Sequence, residues 1–170
     1  MSDDTEAPAP KRRWSEWLDA RFRSPAAIYG LIVFAAFVTI SSDHAHDPWD
    51  LLDTAAWTLV VFFIAHVFAH TLTDHGERGL RGAVAHAVAH SAGMLYAAIP
   101  ATVTLILFGV EGLSADDAYE ATMWVTWVVL AILGYVAYWR RGAHPVIRLL
   151  GAAGTAGLGI CIVLLEYAVH

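Results

Sequence analysis

Four histidines occur in two copies of one short pattern, and this pattern has the clearest chemical potential in the sequence. Residues 65–71 read A-H-x-x-A-H-T and residues 85–91 read A-H-x-x-A-H-S. On a helix, residues four apart lie on nearly the same face, so each copy presents two imidazoles in one direction. Neutral imidazole is a common ligand for transition metals, so the two pairs can supply four nitrogens to one ion.

The two copies lie at mirrored distances from a predicted turn centred near Arg78. His70 and His86 are each eight residues from this centre, and His66 and His90 are each twelve. An antiparallel pair of helices is therefore expected to place His70 level with His86, and His66 level with His90. We predict that these four histidines bind a transition-metal ion such as zinc, copper or iron. Two further donors are expected at the rim of the site: Asp74 and His75.

Three other interpretations of the histidine pattern are open. Closely spaced imidazoles that titrate near physiological pH can pass protons, as in a small proton or ion channel. Histidines can also serve only as hydrogen-bonding bridges between helices, which would make this a structural or accessory membrane protein. Haem ligation is a further option, although two rings four residues apart on one helix cannot flank the same porphyrin.

Beyond the histidines, the sequence contains no pattern that supports an enzymatic activity. An enzyme stays an open alternative, and a protein without enzymatic activity is the expectation. Neither copy is H-E-x-x-H, the motif of zinc proteases, and the chain lacks the adjacent His-His pairs of membrane di-iron hydroxylases and desaturases. The sequence has no Gly-rich phosphate loop and no basic nucleic-acid patch, so nucleic acid is not an expected partner.

Long apolar blocks must position these histidines. Hydrophobic residues make up 58% of the 170 residues, and the mean hydropathy is +0.54. Each block is about long enough to cross a hydrocarbon core of roughly 30 Å as a helix, and none alternates with the period of a strand. The sequence predicts an all-α, polytopic membrane helix bundle at residues 24–170. Its five transmembrane helices are expected at residues 25–42, 51–73, 83–110, 118–139 and 145–168.

Two segments precede this transmembrane domain. Residues 1–10 are acidic and rich in Pro and Ala, and we predict a disordered tail. Residues 11–23 place tryptophans on one helical face with arginines beside it. We predict a short amphipathic juxtamembrane helix that lies on the lipid bilayer and binds anionic headgroups; a solvated tail is the alternative.

All Lys and Arg residues fall on one side of the predicted bundle. They are Lys11, Arg12, Arg13, Arg21, Arg23, Arg78, Arg81, Arg140, Arg141 and Arg148. The opposite loops carry acidic residues and neither Lys nor Arg. The positive-inside rule therefore predicts a cytoplasmic N-terminus, and we expect a multi-pass protein of the plasma membrane.

Two rows of small residues run along the fifth predicted helix. They consist of Gly151, Thr155 and Gly159, and of Ala153, Gly157 and Cys161. Rows of this type allow close approach of a second helix. We expect tight packing within the bundle, or a homo-oligomer interface through the fifth helix.

Three segments carry a resemblance to a known group of proteins: IAHVFAH, LYAAIPATVTLILFGV and AYWRRGAHPVIRLLGAAGTAGLGICIVLLEYAVH. From the first helix onward, the chain resembles small multi-pass integral membrane proteins of actinobacteria. These share an A-H-x-[YF]-A-[HR] element in the second helix, a proline in an apolar third helix and a Gly-rich last helix. The resemblance implies a helical fold in the membrane and no particular activity. It does not extend to the second A-H-x-x-A-H copy.

Overall fold

The computed structural model describes residues 25–169, apart from the side chains of six residues. Those six are His75, Glu77, Arg78, Glu166, Tyr167 and Val169. The predicted tail at residues 1–10 and the predicted amphipathic helix at residues 11–23 lie outside the described residues, as does His170.

Five apolar helices make up most of residues 25–169, a range that contains no strand. They are α1 (Pro25–Ser42), α2 (Pro48–Asp74), α3 (Gly79–Glu111), α4 (Ala115–Trp139) and α5 (Pro145–Val169). Each is long and apolar enough to cross a membrane. The predicted all-α bundle of five membrane-length helices is confirmed, and it is the architecture of a multi-pass membrane protein.

Capping residues explain why α2 and α4 each begin three residues before the predicted start. The side chain of Asp47 accepts hydrogen bonds from the backbone N–H groups of Trp49 at 2.8 Å and Asp50 at 3.1 Å. The hydroxyl of Ser114 accepts one from the backbone N–H of Asp117 at 3.1 Å. Such caps satisfy N–H groups that have no partner within the helix. The first turn of each helix contains acidic residues, Asp50 in α2 and Asp116 and Asp117 in α4, so the apolar pattern alone starts too late.

Gly79 reverses the chain between α2 and α3. The two helices belong to one helical run, Pro48–Glu111, which Gly79 interrupts with φ 66° and ψ 161°. Residues other than glycine rarely adopt these backbone angles. His70 and His90 would be about 30 Å apart along a continuous helix, yet their ring centroids are 4.9 Å apart. α2 and α3 therefore form an antiparallel hairpin.

α1 lies at the centre of the bundle. Half of its residues are buried, a larger share than in any of the other four spans. It packs against the α2–α3 hairpin, α4 and α5. Gly30 allows α3 to approach closely, because a Cβ atom added there would lie 2.6 Å from the Cβ of Met94. The largest fully buried apolar side chains around this helix are Leu31, Phe34, Leu51, Met94, Leu105 and Leu130.

One row of small residues packs α5 against α4, as predicted. The Thr155 hydroxyl donates a hydrogen bond to the backbone carbonyl of Leu130 at 2.8 Å. A Cβ atom added at Gly159 would lie 2.7 Å from a methyl carbon of Leu130. The second row faces away from the other helices: Cys161 is exposed, and a Cβ atom added at Gly157 would have no neighbour within 4 Å. A homo-oligomer through this second row stays a prediction.

Candidate functional site

Two helices bring the predicted histidines to one end of the bundle, the end at which α1 begins. His66 and His70 lie in the last turns of α2, and His86 and His90 lie in the first turns of α3. Because Gly79 folds α3 back along α2, residues on either side of the hairpin turn become neighbours. This positions all four imidazoles between the turn and the middle of the bundle.

The four imidazoles form a continuous row. The ring centroids of His66 and His70 are 4.7 Å apart, and those of His70 and His90 are 4.9 Å apart. The row continues from His90 to His86, whose centroids are 6.3 Å apart with nearly parallel rings. The order in space is thus His66, His70, His90, His86. The structure brings the four residues together, but in a line and not around one point.

The predicted register of the hairpin was wrong by one helical turn. His70 meets His90, not His86, and the carboxylate of Asp74 lies nearest to the ring of His86. Both pairs are centred on position 80, whereas the prediction placed the centre at Arg78. The physical reason is that the chain reverses at Gly79, the residue with positive φ in this segment.

Asp74, one of the two predicted rim residues, lies at the end of the row nearest the hairpin turn. The Asp74 Oδ2 atom is 3.8 Å from the Nε2 atom of His86. These side chains are 29% and 46% exposed, respectively, so the end of the row nearest the hairpin turn is accessible. The side chain of His75 lies outside the described part of the structure.

Three of the histidines line a cavity of about 500 Å³, which also includes residues of α1. The lining residues are Pro25, Ala26, Tyr29, His66, His70 and His90. The ring of Tyr29 lies over that of His66, with centroids 6.5 Å apart and an interplanar angle of 27°. His86 is not among the lining residues, so three of the histidines share the cavity and the fourth contacts it only through His90.

The contribution of Tyr29 was missed in the sequence analysis. Tyr29 lies one turn after Pro25, where α1 begins, and so at a depth similar to that of the histidines. The depth of Tyr29 can be read from the sequence by counting residues from the start of α1. The sequence does not show that α1 turns this face toward the end of α2.

The spacing of the imidazoles fits a metal site for each neighbouring pair but not for a closed set of three. Two imidazoles on one tetrahedral ion have ring centroids roughly 5 Å apart, since each metal–nitrogen bond is about 2.0–2.1 Å. The ring centroids of His66 and His70, 4.7 Å apart, and those of His70 and His90, 4.9 Å apart, each match this distance. As the side chains lie, however, no three His, Cys, Asp or Glu residues in the described part of the chain form a closed set for one ion.

Comparison with known proteins gave no match: no family model, no curated protein and no solved structure is significantly similar to the chain.

Proposed function

We propose that this protein is a multi-pass plasma-membrane protein that binds one transition-metal ion, such as zinc, in the cavity between α1, α2 and α3. The ligands are His66, His70 and His90. The observation that carries the proposal is that these three imidazoles are in sequential ring contact and line one cavity. This narrows the predicted four-histidine set to three, because His86 lies outside the cavity lining.

The chemistry of the cavity lining favours a metal ion over other ligands. Among the residues that the structure describes, the lining contains three imidazoles and a phenol, and neither Lys, Arg, Asp nor Glu. A phosphate or carboxylate ligand would be expected to need a cationic donor, whereas neutral imidazole is a suitable ligand for zinc, copper and iron. Ionisable residues within a membrane domain are also costly, and their presence favours a functional role.

The rings must turn to close around an ion, and the energies allow this. Turning a side chain by about 30° from its preferred rotamer costs about 0.5–1.5 kcal/mol. Structural zinc sites bind with apparent free energies of about 10–16 kcal/mol near neutral pH. Reorienting three rings next to an open cavity therefore costs much less than metal binding contributes.

The distribution of arginines supports a cytoplasmic position for this site. Arg81 lies near the start of α3, Arg140 and Arg141 follow α4, and Arg148 lies in the first turn of α5. These positions share the end of the bundle at which α1 begins. By the positive-inside rule this end faces the cytoplasm, which also places the N-terminus there. We further propose that the basic residues 11–23 bind anionic headgroups on the same membrane face.

The test is equilibrium metal binding by the full chain in detergent. Wild type is titrated with Zn²⁺ and, for its absorption spectrum, with Co²⁺. We expect one ion per chain, and His66→Gln, His70→Gln and His90→Gln should each weaken binding by at least about tenfold, which is 1.4 kcal/mol. His144→Gln is the matched control, because this exposed histidine lies at the same end of the bundle outside the row. Binding that survives in the triple variant would refute the proposal.

A structural role is the second candidate, and one observation favours it. The rings of His70 and His90 contact each other edge to face across the hairpin, with an interplanar angle of 66°. This contact can hold α2 against α3 without an ion. In that case wild type binds no Zn²⁺ in the same titration, and the glutamine variants lower the unfolding temperature in the presence of a chelator.

A further inference from the structure

The row of histidines extends beyond the cavity to a pair of side chains near the hairpin turn. His86 contacts His90 on one side, with ring centroids 6.3 Å apart, and faces Asp74 on the other, with Nε2 and Oδ2 3.8 Å apart. Neither Asp74 nor His86 lines the cavity. Both side chains are partly exposed, at 29% and 46%. The pair therefore lies at the hairpin-turn end of the row, next to the three cavity histidines, of which His90 is itself exposed.

The two side chains have the chemistry of a weak, transient metal site. A carboxylate oxygen and an imidazole nitrogen are both ligands for divalent transition metals. Two ligands hold an ion less tightly than three, which suits capture followed by release. Asp74 also supplies a negative charge at an end of the bundle that carries several arginines, among them Arg81, five residues before His86. The arginines repel an approaching cation, and Asp74 provides the local negative charge that can hold one beside His86.

We propose that Asp74 and His86 form the entry site through which a divalent metal ion reaches the cavity. This inference rests on the proposed function. The ion is captured by Asp74 and His86, and His90 then replaces Asp74 as a ligand. His70 next replaces His86, and His66 then adds as the third ligand, so the ion changes one ligand at a time along the row. Asp74 and His86 act on the path of the ion and are not ligands in the final site.

As an entry site, Asp74 and His86 should affect the rate constants of metal association and dissociation and leave the dissociation constant nearly unchanged. The three final ligands are intact when Asp74 or His86 is altered, so the dissociation constant should change little. Entry and exit use the same path, so both rate constants should fall together. A residue of the final site behaves differently, because its loss weakens binding mainly through faster dissociation.

The experiment is stopped-flow mixing of the full chain in detergent with Zn²⁺, and separately with Co²⁺ followed by absorbance. For Asp74→Asn and His86→Gln we expect association and dissociation rate constants about tenfold lower than in wild type, with dissociation constants within about twofold. Asp74→Glu keeps the carboxylate and should restore most of the rate. His144→Gln should match wild type. Thermal unfolding of each variant shows that it is folded.

Two results would overturn the inference, and they differ from failure of the proposed function. Wild-type rates in Asp74→Asn and His86→Gln would show that the ion enters elsewhere. A dissociation constant raised tenfold with faster release would make these residues final ligands. If wild type binds neither Zn²⁺ nor Co²⁺, the proposed function itself is wrong, and the entry site is wrong with it.

Discussion

Two glycines near the hairpin turn offer a matched test of how the histidine row is built. A Cβ atom added at Gly76 or at Gly79 would meet no atom within 4 Å, so neither position is sterically crowded. They differ in backbone conformation: Gly79 has φ 66° and ψ 161°, whereas Gly76 lies in helical backbone and has no positive φ. Alanine at the two sites should therefore act in opposite directions.

The expected magnitudes follow from these backbone angles. The conformation of Gly79 is almost restricted to glycine, and forcing a residue with a Cβ atom into such a region costs on the order of 1–3 kcal/mol. Gly76→Ala instead removes glycine from a helix, which should stabilise the fold by roughly 0.5–1 kcal/mol. Because no side-chain clash contributes at either site, the difference of about 1.5–4 kcal/mol comes from backbone conformation alone.

Stability is measured by titrating the detergent-solubilised protein with a denaturing detergent and following helix content by circular dichroism. Gly79→Ala should unfold at a lower denaturant fraction than wild type, and Gly76→Ala at a higher one. Gly79→Ala should also weaken Zn²⁺ binding, because any relief of strain at the turn alters the pairing of His70 with His90. Equal stability of the two variants, or a more stable Gly79→Ala, would refute the assigned turn.

Two further predictions concern other parts of the bundle. Asp47→Ala should lower the free energy of unfolding by about 1 kcal/mol, because the α2 cap is lost. The control is Asp53→Ala, at an exposed position within the same helix, which should change this free energy little. Equal effects of the two variants in chemical denaturation would contradict the cap. Gly159→Leu should destabilise by about 1–3 kcal/mol by overpacking against Leu130, whereas Gly157→Leu should lie within about 0.5 kcal/mol of wild type in the monomer. If Gly157→Leu changes the mass of the protein–detergent complex, α5 is an oligomer interface through its outer row.

The sequence predicted the helices well because membrane helices are specified by long apolar blocks, which are visible without tertiary information. The starts of α2 and α4 were placed too late because Asp47 and Ser114 form caps before the apolar pattern begins. A capping residue followed by an acidic residue in the first turn is itself a sequence signal. Its use would have moved both starts to the observed positions.

The details of the site were less predictable because they depend on one turn and on a third helix. Residues 76–82, around the junction of α2 and α3, contain Gly76, Gly79 and Gly82, and each is a residue at which the chain can reverse. Nothing in their local sequence ranks Gly79 above the others. Tyr29 joins the cavity because α1 lies at the centre of the bundle, and the order of helices in space is not written in the hydrophobic pattern of any one of them.

The shift of one turn changes what the histidines can do. With the chain reversing around Arg78, His70 and His86 would be level, as would His66 and His90, and the four rings would form a symmetric set. The observed centre at position 80 pairs His70 with His90, and counting from the same centre sets His66 level with residue 94. His86 moves to the rim, opposite Asp74. A symmetric set has no order among its members, whereas the observed row runs from exposed side chains, His86 and His90, to half-buried ones, His70 and His66. That order is what allows Asp74 and His86 to affect the rate of metal entry without setting the affinity.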